Sequence, residues 1–275
     1  MNRTSLILLV LSLGSFACPK AADTTDSGST DGGTTTETQP APVTDTTPAD
    51  AEAAGLDPKW PTLRLNGELT SVRWSDGDSF KFKSGPHSGK GVRLVGYNTL
   101  ESYGPVHRWG DWSAVELYRI AKSSWKLGAE RTWNCTTTGD EDHYGRVLVD
   151  CPDAALHIVS AGHAVVFAMD ETPSPELLKA QKLAMKTKAG MWAKGAPKKL
   201  VSSLHSVDEG EEKAPTYNRV VDTTTGAATE APHKDTYSTC QEVCIGGDEG
   251  SCMTYVPFAI RYKNKPECLI VKEKR

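Results

Sequence analysis

No stretch of the 275-residue chain approaches the roughly 18 uninterrupted apolar residues that a membrane-crossing helix needs. The mature protein is therefore expected to have no transmembrane helix. Residues 21–57 contain no lysine or arginine and almost no large apolar side chain, too little to offset the entropy of ordering. The segment is expected to be a disordered, extended tether, and its eight acidic residues repel a membrane or a nucleic acid. Paired Cys-x-x-Cys spacings are also missing, which argues against structural zinc at Cys240, Cys244, Cys252 and Cys268. Nor is there the dense basic patch of a dedicated DNA-binding domain. The net charge is −4, and residues 59–199 carry 20 basic against 15 acidic side chains, a surplus compatible with a polyanionic substrate but too small to indicate one.

What is present begins with an export signal. Met1-Asn2-Arg3, the apolar run from Leu6 to Leu13, and Gly14-Ser15-Phe16-Ala17-Cys18 follow the order of basic region, apolar region and small-residue cleavage site. Ser15-Phe16-Ala17-Cys18 resembles a bacterial lipobox, which would remove residues 1–17 and lipidate Cys18; ordinary secretory cleavage near Ala17 is the competing expectation. Cysteine parity favours the lipid. Of seven cysteines, six remain once Cys18 is assigned, an even number for pairing in an oxidising compartment. Cys135 and Cys151 flank His143 symmetrically in a predicted hairpin and suit a cross-strand bridge. The other four sit in the tail, where three pairings are open. The expected location is outside the cytoplasm, lipid-anchored to a bacterial membrane on its periplasmic or cell-surface side.

Between Trp60 and Gly195 the apolar period changes from two to 3.6, which predicts a small β-barrel or sheet with helices. Strands are predicted at 63–68, 69–74, 79–83, 91–96 and 164–168, with a hairpin of 131–136 and 146–151. Helices are predicted from Trp112 to Lys126 with Asp111 as N-cap, after Asp153, and from Ser174-Pro175-Glu176 to Lys188. Trp192 should pack back on the core. Residues 18–58 form the lipidated cysteine and tether, 59–199 the main domain, 200–235 a second linker, and 236–275 a small disulfide-stapled module.

Within the main domain, Asp76-Gly77-Asp78-Ser79, Arg93 to Glu101 and His143-Tyr144-Gly145-Arg146 bring acidic or amide oxygens and two arginines in an order suited to phosphodiester cleavage. Oxygen donors are what a hard cation such as Ca²⁺ takes, and guanidinium forks bind phosphate while staying charged. These motifs resemble the staphylococcal nuclease-like, or thermonuclease, family: Asp-Gly-Asp-Ser, Arg-Leu-x-Gly with a Glu five residues on, Tyr-Gly-Arg, then a terminal helix ending in Gly-x-Trp. The likeness covers residues 62–195. It implies an α+β fold, an OB-fold five-stranded barrel with three helices, and a Ca²⁺-dependent endonuclease of DNA and RNA. Carried over by position, it makes Asp78, Asn98 and the Thr99 carbonyl metal ligands, Glu101 the group that activates water, and Arg93 and Arg146 the two grips on the phosphate. Asn98 stands where the family has Asp and Leu100 where it commonly has Pro, so a weaker cation site is expected. The alternative is a weak or inactive nuclease-like domain that binds nucleic acid or a surface partner.

Each motif has an ordinary explanation as well. Asp76-Gly77 alone is a hairpin turn, Arg93 with Glu101 a structural ion pair, and Arg146 a surface charge. His107, His143, His157 and His163 have no metal-ligand spacing and are assigned no role. Tyr103, Trp109, Trp112, Tyr144 and Phe167 could stack on bases, Tyr144 best. No feature calls for an obligate protein partner; a third possibility is a surface lipoprotein whose tail does the work.

Overall fold

The computed structural model describes residues 45, 47–210, 216–261 and 268. The expected signal peptide and Cys18 lie outside the described residues. None of the described helices is long and apolar enough to cross a membrane.

A short helix, α1 (Pro48–Ala53), comes first, inside the segment expected to be tether. Thr47 and Asp50 form a reciprocal capping box, Pro48 occupies the first turn and Ala51 is buried, which is enough local structure to order six residues. β1 (Thr62–Leu65) and β2 (Glu68–Trp74) follow as a hairpin turning at Asn66-Gly67, whose φ angles of 49° and 89° are those of a type I′ turn. The elements then run β3 (Ser79–Phe82), β4 (Gly91–Leu94), β5 (Tyr97–Thr99), β6 (Val106–Arg108), α2 (Ala114–Ala129), β7 (Trp133–Cys135), β8 (Val147–Val149), α3 (Pro152–Ser160), β9 (Ala164–Val166) and α4 (Pro175–Lys186). Among the described residues, four α-helices stand where three were expected. The N-cap of α2 is Ser113 rather than Asp111, because Ser113 closes a capping box with Glu116.

The main sheet has six strands in the order β7-β1-β2-β3-β4-β8, not the five of the expected barrel. Its inner β4 and β1 pair in parallel with the edge strands β8 and β7; the other pairs are antiparallel. The expected hairpin of β7 and β8 is therefore the two edges of one curled half-barrel, which meet at the Thr136–Asp150 bridge and the Cys135–Cys151 disulfide. Phe80 and Phe82 point inward around exposed Lys81 and join Leu63, Val72, Val92, Val147, Ile158 and Val159 in the main core. Replacing both Cys135 and Cys151 by alanine frees a 16-residue separation in the unfolded chain. The expected loss is about 3 kcal/mol in a urea unfolding titration.

Residues 200–235 do not behave as a linker. β10 (Lys199–Ser203), β11 (Thr216–Asp222) and β12 (Ala228–His233) form an antiparallel sheet. Leu200 and Val221 sink into a second core with Leu100, Trp109, Leu117 and Trp192. The segment's polarity masks two short apolar pairs, Leu200-Val201 and Val220-Val221, of which Leu200 and Val221 pack against the main domain and Val201 against Leu204, Tyr237, Met253 and Tyr255. Buried Gln181 ties the two, accepting from the Val166 amide and donating to the Thr223 carbonyl.

The tail cysteines pair as Cys240–Cys268 and Cys244–Cys252. The second bridge joins residues directly opposite on β13 (Glu242–Ile245) and β14 (Ser251–Thr254). β14 also pairs with β6, so this small module is hydrogen-bonded to the loop that follows Glu101.

Candidate functional site

The site is built at the turn between β2 and β3 and at the end of β5. Gly77 is required there, since a Cβ would lie 2.6 Å from the Thr99 methyl and 2.9 Å from Ser124 Cβ. That close approach turns Asp78 inward, where it is 4% exposed. Asp78 Oδ2 accepts from the Arg93 guanidinium at 2.7 Å and from the Thr99 amide at 2.7 Å; Oδ1 accepts from the Ser79 hydroxyl at 2.9 Å. Burial opposes its charge, but Arg93 and these donors outweigh it and hold the Asp78 carboxyl below the ordinary range.

Arg93 does more than pair with Asp78. Its second terminal nitrogen donates to Asn98 Oδ1 and to the Tyr97 carbonyl, so one fork spans two candidate ligands. Asn98 Nδ2 in turn donates to the Thr99 carbonyl at 3.0 Å. An aspartate at 98 has no such donor. The amide thus satisfies both Arg93 and the Thr99 carbonyl, the oxygen expected to face the cation.

Glu101 is half-buried just beyond β5. Burial first, and then the Asp78 charge, push its carboxyl above the ordinary glutamate range against the pull of Arg261, Arg93 and Arg146. Its backbone N–H donates to His107 Nε2 at 3.2 Å. Burial drives the His107 pKa down to about 3, so the ring is neutral and its Nε2 is free to accept. Asp76 lies beside them, its carboxyl raised well above the usual range by burial, Asp78 and Glu101.

Arg146 precedes β8, with its stem against Gly91 of β4. The structure brings it near enough to Glu101 to oppose that group's raised pKa, but gives it a counter-ion that sequence reasoning missed. Asp142 Oδ2 accepts from Arg146 Nε at 2.7 Å and from a terminal nitrogen at 2.6 Å. The four-residue spacing of Asp142 and Arg146 was the available signal. Tyr144 is 58% exposed with Arg146 5.5 Å from its ring centre, whereas Trp109 and Trp112 are held by hydrogen bonds to the Gly195 and Met191 carbonyls and serve the core.

His107 and Arg261 also went unassigned from the sequence: Arg261 reaches the site from the tail module, and β6, which carries His107, is packed between α2 and that module. β14 fixes β6 and hence His107. Arg261 donates to the Val256 carbonyl and lies over Gly104, where any Cβ would fall 2.8 Å from its Cγ. The bond pairing Arg93 with Glu101, one ordinary explanation of that arginine, is replaced by Arg93–Asp78.

The potential cation donors are the carboxylates of Asp76, Asp78 and Glu101, the Asn98 amide oxygen and the Thr99 carbonyl. An all-oxygen set suits a hard cation, whose charge would offset the burial and the Asp78 and Glu101 charges that raise Asp76. By donor chemistry the residues fit Ca²⁺. Among the described residues, the one trio of His, Cys or acidic groups converging within 4.8 Å is Glu242, Cys244 and Cys252. Its two sulfurs are joined in a disulfide, which removes them as ligands.

Residues 91–194, which contain Arg93, Asn98, Thr99, Glu101 and Arg146, match the family model of the staphylococcal nuclease homologues. Over that segment the core is similar to the staphylococcal nuclease homologues. No curated protein matches the chain. The nuclease-like domain suggests a nuclease-like function. Its match begins at Gly91; Asp78 joins the site through the Arg93 and Thr99 contacts described above, and Asp76 by accepting from the Asp78 amide at 3.3 Å.

Proposed function

We propose that the protein is a metal-assisted nuclease that hydrolyses phosphodiester bonds of DNA and RNA, with Ca²⁺ as its cation. The observation that carries this is the continuous contact set Asp78–Arg93–Asn98–Thr99, with Glu101 and Arg146 beside it. Asp78, Asn98 and the Thr99 carbonyl would hold the cation, which when bound supplies positive charge to the reacting phosphate. Glu101, with its raised affinity for protons, accepts the proton of the attacking water. Arg93 and Arg146 donate to the non-bridging oxygens, where negative charge builds. For Arg146 this means exchanging Asp142 for phosphate. Tyr144, open to solvent beside Arg146, offers its face to a neighbouring base.

Export and a lipid on Cys18 complete the proposal: a nuclease tethered outside the cytoplasm by residues 18–58. Three disulfides fit an oxidising compartment. Incubating the purified full chain with single-stranded DNA, in Ca²⁺ and in EDTA, tests the activity. Absence of metal-dependent degradation rejects it.

Asn98 also favours a second reading, a binding module, because its amide satisfies Arg93 and Thr99 with protein groups alone. Asn98→Asp separates the two. It removes the donor to the Thr99 carbonyl and adds a charge to the donor set, so Ca²⁺ affinity followed by tryptophan fluorescence should rise about tenfold or more, with a gain in turnover. Tighter Ca²⁺ binding without cleavage in either form would favour the binder.

A further inference from the structure

Next to the carboxylate cluster lies a recess that the hydrolytic chemistry leaves unused. It encloses about 420 Å³, and its lining includes Trp60, Arg73, Ser75, Tyr103, Lys122 and Trp125. Among the described residues, none of those lining it is acidic. Its inner wall is continuous with the site: Ser75 precedes Asp76, Tyr103 follows Glu101 by two residues, and the Tyr103 hydroxyl donates to the Ser75 carbonyl at 3.3 Å.

The aromatic faces are unusually open for such large rings, with Tyr103 39% and Trp125 40% exposed. Ammonium groups lie over Trp60 and Tyr103. Lys83 Nζ is 4.9 Å from the Trp60 ring centre and Lys122 Nζ 4.1 Å from that of Tyr103. Exposed cation–π contacts are weaker than stacking of a nucleobase on an aromatic ring. A base stacked on either ring would take the ammonium's place over the face, leaving the ammonium, which for Lys122 also donates to the Ser102 carbonyl at 3.1 Å, beside the phosphate that comes with the base. Paired bases in a duplex cannot present their faces in this way, so the occupant must be single-stranded.

We infer that this recess is a binding track for a single-stranded nucleic acid continuing from the cleavage site, with bases on Trp60, Tyr103 and Trp125 and phosphates on Arg73, Lys83 and Lys122. The inference rests on the nuclease reading of the adjoining cluster. Binding is measured by fluorescence anisotropy, in EDTA, between the full disulfide-bonded chain and a labelled oligothymidylate of about ten nucleotides. Trp125→Ala, on the open face of α2, is expected to weaken binding about tenfold. Arg73→Gln should lower the slope of log affinity against log salt by about 0.7, a readout that a folding defect does not mimic. Unchanged affinity and slope in these variants, equal affinity for a duplex of the same length, or no binding by the wild-type chain would overturn the track. Recess-dependent binding without cleavage in Ca²⁺ would uphold the track and reject the nuclease reading. Metal-dependent cleavage with unchanged affinity in both variants would do the reverse.

Discussion

Arg93→Ala is expected to cut the cleavage rate by about two to three orders of magnitude, the usual cost of removing one donor aimed at developing negative charge. The same change should destabilise the protein by about 3–5 kcal/mol, because it strands the buried Asp78 carboxylate that Arg93 neutralises. Arg93→Lys should rescue neither property fully. A single ammonium cannot reach Asp78, Asn98 and the Tyr97 carbonyl together, whereas the planar fork does. Arg146→Ala provides the contrast. Its pair with Asp142 is partly exposed, with side-chain exposures of 36% and 15%, so about 1 kcal/mol or less of stability should go with a comparable loss of rate. Initial rates and urea titrations on the three variants check both halves. A rate for Arg93→Ala within tenfold of wild type would remove Arg93 from the phosphate grip.

Glu101→Gln is expected to lower the rate by about 10²–10⁴, since the amide accepts no proton. In the wild type the acidic limb of the pH–rate profile should lie above the ordinary glutamate range, in the direction burial and Asp78 push the group. The limb should vanish in the variant. A stability measurement supplies an independent check. Because the folded pKa is raised, Glu101 keeps a proton in the native state that the unfolded chain releases, so stability falls as pH rises from the ordinary glutamate value through the raised one. Glu101→Gln abolishes that fall, and its stability relative to wild type should grow over the same window. A variant whose pH–rate profile keeps the acidic limb would assign the proton transfer elsewhere, with Asp76 the neighbouring carboxyl.

Much of the main domain was legible because its signals are local. Ser174-Pro175 starts a helix and Phe80-Lys81-Phe82 alternates across a sheet, each acting within a few residues, whereas the Asn66-Gly67 turn falls inside the strand expected at 63–68. The order of Asp78, Arg93, Glu101 and Arg146 was legible for the same reason. The tail was not. Cys252 meets Arg108, and Arg108 forks onto Glu242, across separations of more than a hundred residues that no spacing rule reaches. The strands of residues 199–233 were hidden likewise, because Leu200 and Val221 acquire a core only against Leu100, Trp109 and Trp192, and Val201 against Met253 and Tyr255.

Residue types, caps, turns and apolar period are properties of short stretches of chain, and from them came the strands, the helices and the roster of acids and arginines. Charge states and partners are properties of distance through space. Folding alone buries Asp78 under Arg93 and pushes the Asp76 and Glu101 carboxyls above their ordinary range through burial and neighbouring charge. It also lends the Asn98 amide to the Thr99 carbonyl and sets a histidine from β6 beneath the Glu101 backbone. Desolvation and Coulomb attraction follow the positions of neighbouring atoms, whatever their place in the chain.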